Sequence, residues 1–197
     1  LMSFVNDVGV AINEGNTIRE ILQQCAEAVV HNLDAAFARI WTLNEKENVL
    51  ELQASAGMYT HIDGSHSRIP VGKFKIGLIA QERMPHLTNN LINDPHISDK
   101  DWAKQEGIIA FAGYPLIIKE HLVGVVAIFS RKPLTEFTQR ALASAADIIA
   151  LGIDRKCAET ALRVSENRYR RLLENLPQRI FHKDRNSVYV SCNEIYA

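Results

Sequence analysis

Apolar residues recur at helical spacing from the start of the chain. Phe4, Val5, Val8 and Ile12 share one face and predict a helix over 1–14, which Gly15-Asn16 interrupts. Thr17 then stands where an N-cap belongs, with Glu20 three residues on to complete a capping box. The helix behind it buries a stripe of Ile18, Ile21, Leu22, Cys25, Ala28, Val29 and Leu33. At Ala35 the period changes from 3.6 to 2. Ala35–Leu43 and Val49–Ala56 read as two strands around a turn at Asn44–Asn48. In the first strand Ala36, Ala38 and Ile40 point one way, and Phe37, Arg39 and Trp41 the other. Small residues suit close helix packing, and the aromatic and charged ones suit a wall with polar work to do.

Residues 57–74 carry Gly57, Gly64, Pro70 and Gly72 and predict a long loop. A short helix over Ile76–Glu82, a short strand at Pro85–Thr88 and a loop over Asn89–Pro95 follow. A second short helix is predicted at Ser98–Glu106, with Ser98 and Asp99 as candidate caps and Gly107 as its stop. Two apolar runs, Ile108–Ile118 and Leu122–Ser130, flank the polar turn Lys119-Glu120-His121. They read as neighbouring antiparallel strands buried on both faces. A loop-and-helix cap beside such a hairpin is one way to build a small-molecule pocket.

From Leu134 a long helix is predicted. Thr135 is its N-cap, and Phe137, Ala141, Leu142, Ala145, Ile148 and Ile149 form its core stripe. Beyond Gly152 the stripe thins to Ala158, Leu162, Ser165, Tyr169, Leu172 and Leu176, spaced in the a/d rhythm of a short coiled coil. Leu162, Tyr169, Leu172 and Leu176 are the candidate dimer residues. The alternative is a single surface helix capping the domain. The end of the chain predicts strands at Arg179–Lys183 and Val188–Ser191 around a turn at Asp184–Asn186. That hairpin is marginal alone and reads as an unfinished domain in an excerpt of a longer protein.

Composition narrows the function class. The 197 residues are 47% hydrophobic and 23% charged with a net charge of −1, an ordinary globular balance. No basic cluster argues for nucleic acid or an anionic membrane; Arg168-Tyr169-Arg170-Arg171 reads as the solvated side of a helix. No apolar run reaches the roughly 18 residues of a membrane span. Cys25, Cys157 and Cys192 are widely spaced, form no metal-ligand pattern, and predict reduced thiols in a cytoplasmic protein. No nucleophile, zinc, nucleotide-binding or kinase motif is present, so no catalytic residue and no metal ligand is assigned. His61, Asp63, Ser65 and His66 are too local to read as a triad.

The element order, with the phrases AAFARIWTLNE, LELQASAG, NDPHISDKDWAKQEG, FAGYPLIIKEHLVGVVAIFS and PLTEF, resembles a GAF domain over roughly residues 1–155. The resemblance is closest to GAF domains set between PAS modules in bacterial sensors such as histidine kinases and cyclic-di-GMP enzymes. It implies an α+β fold: an antiparallel sheet with the terminal helices on one face and a loop- and helix-capped ligand pocket on the other, followed by a long C-terminal helix. Residues 156–176 would then be a helical linker, and 177–197 resemble the opening of a PAS domain, with Asn193 in a position that family commonly fills with asparagine.

The ligand is not implied. Bilin-binding members use a cysteine in the region corresponding to Pro95–Tyr114, which has none, so no covalent bilin is expected. The extended Asn-Lys-Phe-Asp-Glu signature of cyclic-nucleotide binders has no clean copy. Haem would need an axial histidine from among His61, His66, His86 and His96, and solvated loop histidines are the more ordinary reading.

The candidate pocket residues are Arg39, Trp41, Phe74, Trp102, Phe111 and Tyr114. Arg39 would clamp a ligand carboxylate or phosphate, pair structurally with Glu51 on the next strand, or lie exposed at an edge. Trp41 would stack on a planar ligand or pack in the core. Phe111 and Tyr114 fall on opposite faces of one strand, so only one can line a pocket. Trp102 is the expected lid, with Phe74 opposite, while Asp94, Asp99 and Asp101 read as capping and surface charge. The resulting expectation is a non-enzymatic regulatory module, homodimeric through its terminal helices. The rivals are a ligand-free dimerisation scaffold and a reductase of the methionine-sulfoxide type, which would need cysteines converging on the pocket.

Overall fold

The structure is a computed structural model that describes residues 2–97, 99–175 and 181–192. It divides into two compact units, Leu1–Asp154 and Arg155–Ala197. The first begins with α1 (Met2–Glu14) and α2 (Ile18–Leu33). The capping box at Thr17 forms in full: its hydroxyl accepts from the Glu20 N–H, and the Glu20 carboxylate accepts from the Thr17 N–H. Asp34 closes α2 in the left-handed region at φ 50°.

The sheet is built from β1 (Phe37–Asn44), β2 (Val49–Gly57), β3 (Arg68–Pro70), β4 (His86–Thr88), β5 (Ala110–Ile118) and β6 (His121–Ser130). Its order is β3-β2-β1-β6-β5-β4, antiparallel at every pairing. Between β3 and β4 lies α3 (Phe74–Glu82). A 3-10 turn (Leu91–Asn93) and α4 (Lys100–Gln105) precede β5. β3 falls inside the stretch expected to be loop. Three residues are too few to show a period, and their place is fixed by pairing with Val49–Glu51. Asp99 caps α4 by accepting from the Trp102 N–H at 2.8 Å, and Gly107 turns the chain at φ 68°. The candidate cap Ser98 lies outside the described residues.

The sheet is buried on both faces, as the continuous apolar runs required. One face carries Ala38, Ile40, Ala54, Ala56, Ala112, Val126 and Ile128 and packs on α1, α2 and the start of α5 (Glu136–Asn175). Small side chains there let the helices come close. The opposite face carries Phe37, Trp41, Leu50, Leu52, Phe111, Val125 and Ala127 under α3, α4 and the loops. A bulge makes this division possible: Ile40 pairs with Ala54 and Trp41 with Leu52, leaving Gln53 as the extra residue. Leu52 and Ala54 therefore point to opposite faces although they are two apart. Gly124 is required where it stands, because a Cβ there would lie 2.1 Å from the Trp41 carbonyl oxygen.

Thr135 caps α5 by accepting from the Thr138 N–H at 3.2 Å. The buried stripe of α5 runs through Ala141, Leu142, Ala145, Ile149 and Ile153. Phe137, expected in that stripe, is exposed; the preceding Leu134 fills the core instead, its backbone held by both ends of the Asn89 amide. Among the described residues no helix is long and apolar enough to cross a membrane.

In the second unit α5 continues to Asn175, with Leu162, Tyr169 and Leu172 exposed at 62%, 65% and 59%. The hairpin β7 (Phe181–Lys183) and β8 (Tyr189–Cys192) follows the expected strands closely. Leu176, Pro177 and Asn193 lie outside the described residues.

Candidate functional site

A cavity of about 240 Å³ opens on the face of the sheet away from α1 and α2. Its floor is Phe37, Arg39 and Trp41 from β1, Phe111 from β5 and Phe129 from β6. Its walls and roof are Tyr59, His61 and His66 from the β2–β3 connection, Ile69 from β3, Phe74, Lys75 and Ile76 from α3, and His96, Ile97, Asp99 and Trp102 from the α4 region. Strand alternation delivers the floor residues, since side chains two apart on β1 share a face.

Arg39 is the unusual member. Its register partner is Ser55, not Glu51, which stands nearer the turn opposite Thr42, where it pairs with Arg68 at 3.2 Å and accepts from Asn44. The Arg39 Nε donates to Ser55 Oγ at 3.3 Å, and the guanidinium carbon sits 5.5 Å and 5.8 Å from the ring centres of Phe37 and Tyr59. Among the described residues no carboxylate pairs with it and no acceptor meets its Nη groups. Every fully buried side-chain nitrogen or oxygen among the described residues has a partner, so those Nη groups are open to the cavity. Burial pulls the Arg39 pKa below its usual value, with the Tyr59 hydroxyl opposing, and it stays cationic at neutral pH.

Ser55 is wholly buried and ties three parts together. Its hydroxyl accepts from Arg39 and donates to the Tyr59 carbonyl at 2.7 Å. Its backbone N–H and C=O, on the edge of β2 beyond the short β3, are satisfied by the side-chain amide of Gln23 on α2, at 3.3 Å and 3.1 Å. The cavity floor is thus wired through one residue to the helical layer.

The roof is held by aromatic and ionic contacts. Trp41 is buried to 1% exposure and donates from Nε1 to the His66 carbonyl at 3.0 Å, so it anchors the roof loop as well as packing in the core. Trp102 Nε1 donates to the Tyr59 hydroxyl at 2.9 Å, and that hydroxyl donates to Glu106 at 3.4 Å. Phe37 stacks on Phe129 and meets Tyr59 and Trp102 edge-on. Lys75 forms an ion pair with Asp94, their side chains 7% and 10% exposed, and lies 5.2 Å from the Phe111 ring centre. Burial pushes the Asp94 carboxyl up. The Lys75 hydrogen bond, the His96 N–H and the two neighbouring charges together outweigh it, and the net shift is downward. Phe74 stands half-exposed at the mouth with φ 55°, a conformation costly for an aromatic residue. Its ring meets His66 edge-on at 6.1 Å. The exposed His66 has its pKa lowered, first by the hydration its ring loses and second by the Arg39 charge, while Asp99 pulls the other way.

Five of the six pocket residues expected from sequence meet at this cavity: Arg39, Trp41, Phe74, Trp102 and Phe111. Tyr114 does not; it packs against the helix-face core, on the other side of β5 from Phe111, and burial pushes its hydroxyl pKa up. Sequence reasoning missed Tyr59, Lys75, Ser55 and Phe129. The Lys75 side chain, from a helix of its own, finds its carboxylate 19 residues away, a pairing no local pattern announces. Cys25 is buried in the helix-face core with its thiol pushed up to about 12 by burial, and no cysteine lines the cavity among the described residues. Among those residues no group of three or more His, Cys, Asp or Glu side chains could hold a metal ion.

The sequence profile of the GAF domain family matches residues 15–154, ending where the first compact unit ends. Solved structures agree on the fold. The GAF domain from a phosphoenolpyruvate-protein phosphotransferase (ptsP) of Coxiella burnetii has a TM-score of 0.71 at 17% identity, over 81% of this chain and 96% of that one. The free methionine-R-sulfoxide reductase of Neisseria meningitidis, in complex with its substrate, has a TM-score of 0.65 at 13% identity, over 79% and 89%. The nlh2 GAF domain of A. aeolicus in an inactive state has a TM-score of 0.67 at 16% identity, over 79% and 96%. No curated protein matches the chain.

Proposed function

The chain belongs to the GAF domain family, and on that footing we propose that its first unit is the regulatory, non-catalytic sensor of a cytoplasmic bacterial signalling protein. A small ligand occupies the cavity, and its presence is relayed through the helical layer to a homodimeric α5. From there it passes to a PAS domain that opens with the β7–β8 hairpin, and to an output domain. The observation that carries this reading is the open cavity with an unneutralised Arg39 bonded to Ser55, whose backbone is held by Gln23 of α2. A ligand that draws on Arg39 pulls on Ser55 and hence on α2. Helix α1 packs on α2, and its Ile12 lies so close to Gly152 that a Cβ there would meet it at 2.9 Å. To turn such a switch from 1:99 to 99:1 the ligand must favour one state by about 10⁴-fold, or ~5.5 kcal/mol.

An open cavity is what a ligand-free scaffold would lack. A reductase of the type seen in Neisseria meningitidis is disfavoured by the buried Cys25 thiol and by a lining without cysteine among the described residues. The dimeric helix is tested by analytical ultracentrifugation of the 197-residue chain. The exposed Leu162, Tyr169 and Leu172 predict a dimer that Leu162→Asp with Leu172→Asp converts to a monomer at unchanged helicity. A parent chain that stays monomeric at all concentrations would remove the homodimer from the account.

A further inference from the structure

We propose that the cavity takes an aromatic monocarboxylate, its carboxylate on the Nη edge of Arg39 and its ring among the aromatic walls. The assignment rests on the sensor reading above and names the chemistry of the ligand.

Charge selects a monoanion. Lys75 is already matched by Asp94 in a pair with little exposed surface. Arg39 has no carboxylate among the described residues, and the one carboxylate left on the lining, Asp99, stands exposed at the rim, where it opposes a dianion such as phosphate. Among the described residues the Lys and Arg side chains of the lining thus leave one, Arg39, without an ionic partner, and a desolvated cation draws a single opposite charge.

Donor geometry selects a carboxylate. Nε is committed to Ser55 Oγ, which leaves the two Nη groups of a cavity-lining arginine as its remaining donors. The Nη edge matches the two oxygens of a planar carboxylate, giving two parallel charge-assisted bonds. Phe37 and Tyr59 flank the cation, limiting rotation about the remaining side-chain bonds.

The walls select an aromatic body. Phe37, Phe111, Phe129 and Trp102 present ring faces and edges to the cavity, and aromatic rings gain from edge-to-face contact beyond the area they bury. The Ile69 and Ile76 side chains close the remaining apolar surface.

The test is a titration of the 197-residue chain with benzoate and indole-3-carboxylate, each beside its neutral carboxamide, and with inorganic phosphate. It is read by calorimetry and, for benzoate, by the fluorescence of Trp41 and Trp102, which both line the cavity. The expected result is saturable one-to-one binding of at least one acid, its amide at least about tenfold weaker, and loss of about tenfold or more in Arg39→Met. Arg39→Lys should restore part of the affinity, because a point charge replaces a fork. If Arg39→Met fails to fold, the acid-to-amide ratio and Arg39→Lys decide the matter. Equal binding of acid and amide would overturn the anion assignment and leave the cavity a ligand site. Phosphate displacing the acid at equal concentration would overturn the carboxylate class alone. Binding by neither acid nor amide would overturn this inference, and with a neutral fragment screen that also finds no occupant it would take the sensor reading with it.

Discussion

Cutting the Lys75–Asp94 pair should loosen the roof of the cavity by an amount that can be worked out in advance. Both side chains are nearly covered, at 7% and 10% exposure, and the pair ties α3 to the segment behind the 3-10 turn. Lys75→Met keeps the apolar stem and its packing near Phe111 but leaves the Asp94 carboxylate, among the described residues, with the His96 N–H at 2.9 Å as its close donor. Removing one partner of a buried pair costs about 3–5 kcal/mol. The adjacent cavity admits water, so the lower end, about 3 kcal/mol, is expected. For a chain of this size about 1 kcal/mol moves Tm by roughly 2–4 °C, so the melting point should fall by roughly 6–12 °C. Replacing both groups, Lys75→Met with Asp94→Leu, should return the protein close to its original stability, because neither charge is then stranded. The assay is urea and thermal denaturation of the two single variants and the double, followed by circular dichroism.

The pH dependence supplies a second check on the same pair. In the parent protein the Asp94 pKa is held below its ordinary value of 3.8, so its contribution is present above that pH and is lost as pH falls through the depressed folded value. In Lys75→Met the downward pull of the lysine is gone while burial still pushes the carboxyl up, so the folded pKa is expected to lie above that of the parent. The variant then regains relative stability as pH falls, and the gap between the two proteins narrows in acid. A single variant within about 0.5 kcal/mol of the parent, or a gap that does not change with pH, would refute the reasoning.

Three further outcomes follow from the structure. The β5–β6 turn holds Lys119 and Glu120 at φ 45° and 71°, where Asn-Gly is preferred, so Lys119→Asn with Glu120→Gly should raise stability by about 1–2 kcal/mol in a urea melt. Ser55→Ala removes the acceptor for Arg39 and the donor to the Tyr59 carbonyl. It should cost about 1–3 kcal/mol in the same melt and weaken binding of any acid held by Arg39. The Cys25 thiol, buried and pushed up to about 12, should resist iodoacetamide at pH 8 in the folded protein while the exposed Cys157 reacts, and should react once urea unfolds the chain.

Much of this fold can be read from periodicity. The capping box at Thr17-Glu20 and the alternation of Phe37, Arg39 and Trp41 against Ala38 and Ile40 are local patterns, and local physics decides them. The paired runs 108–118 and 122–130 are equally plain because their burial on both faces leaves no polar interruption. What the pattern hid was non-local. Counted from the turn, Arg39 would face Ala54; the bulge at Gln53 brings it opposite Ser55, and a one-residue slip in register cannot be seen without the partner strand. Tyr59 and His66 reach the cavity from an aperiodic loop pinned by the Trp41 indole, a contact between residues 25 apart. Tyr114 was separable from Phe111 by parity alone, and the structure settles which of the two faces the cavity.

The central claim is that the cavity holds a small ligand through Arg39. Native mass spectrometry of the parent chain and Arg39→Met, purified side by side from the source organism, tests it most directly. The account predicts a small acidic adduct on the parent, lost on denaturation and absent from Arg39→Met. A parent chain of bare mass, indistinguishable from the variant, would contradict it.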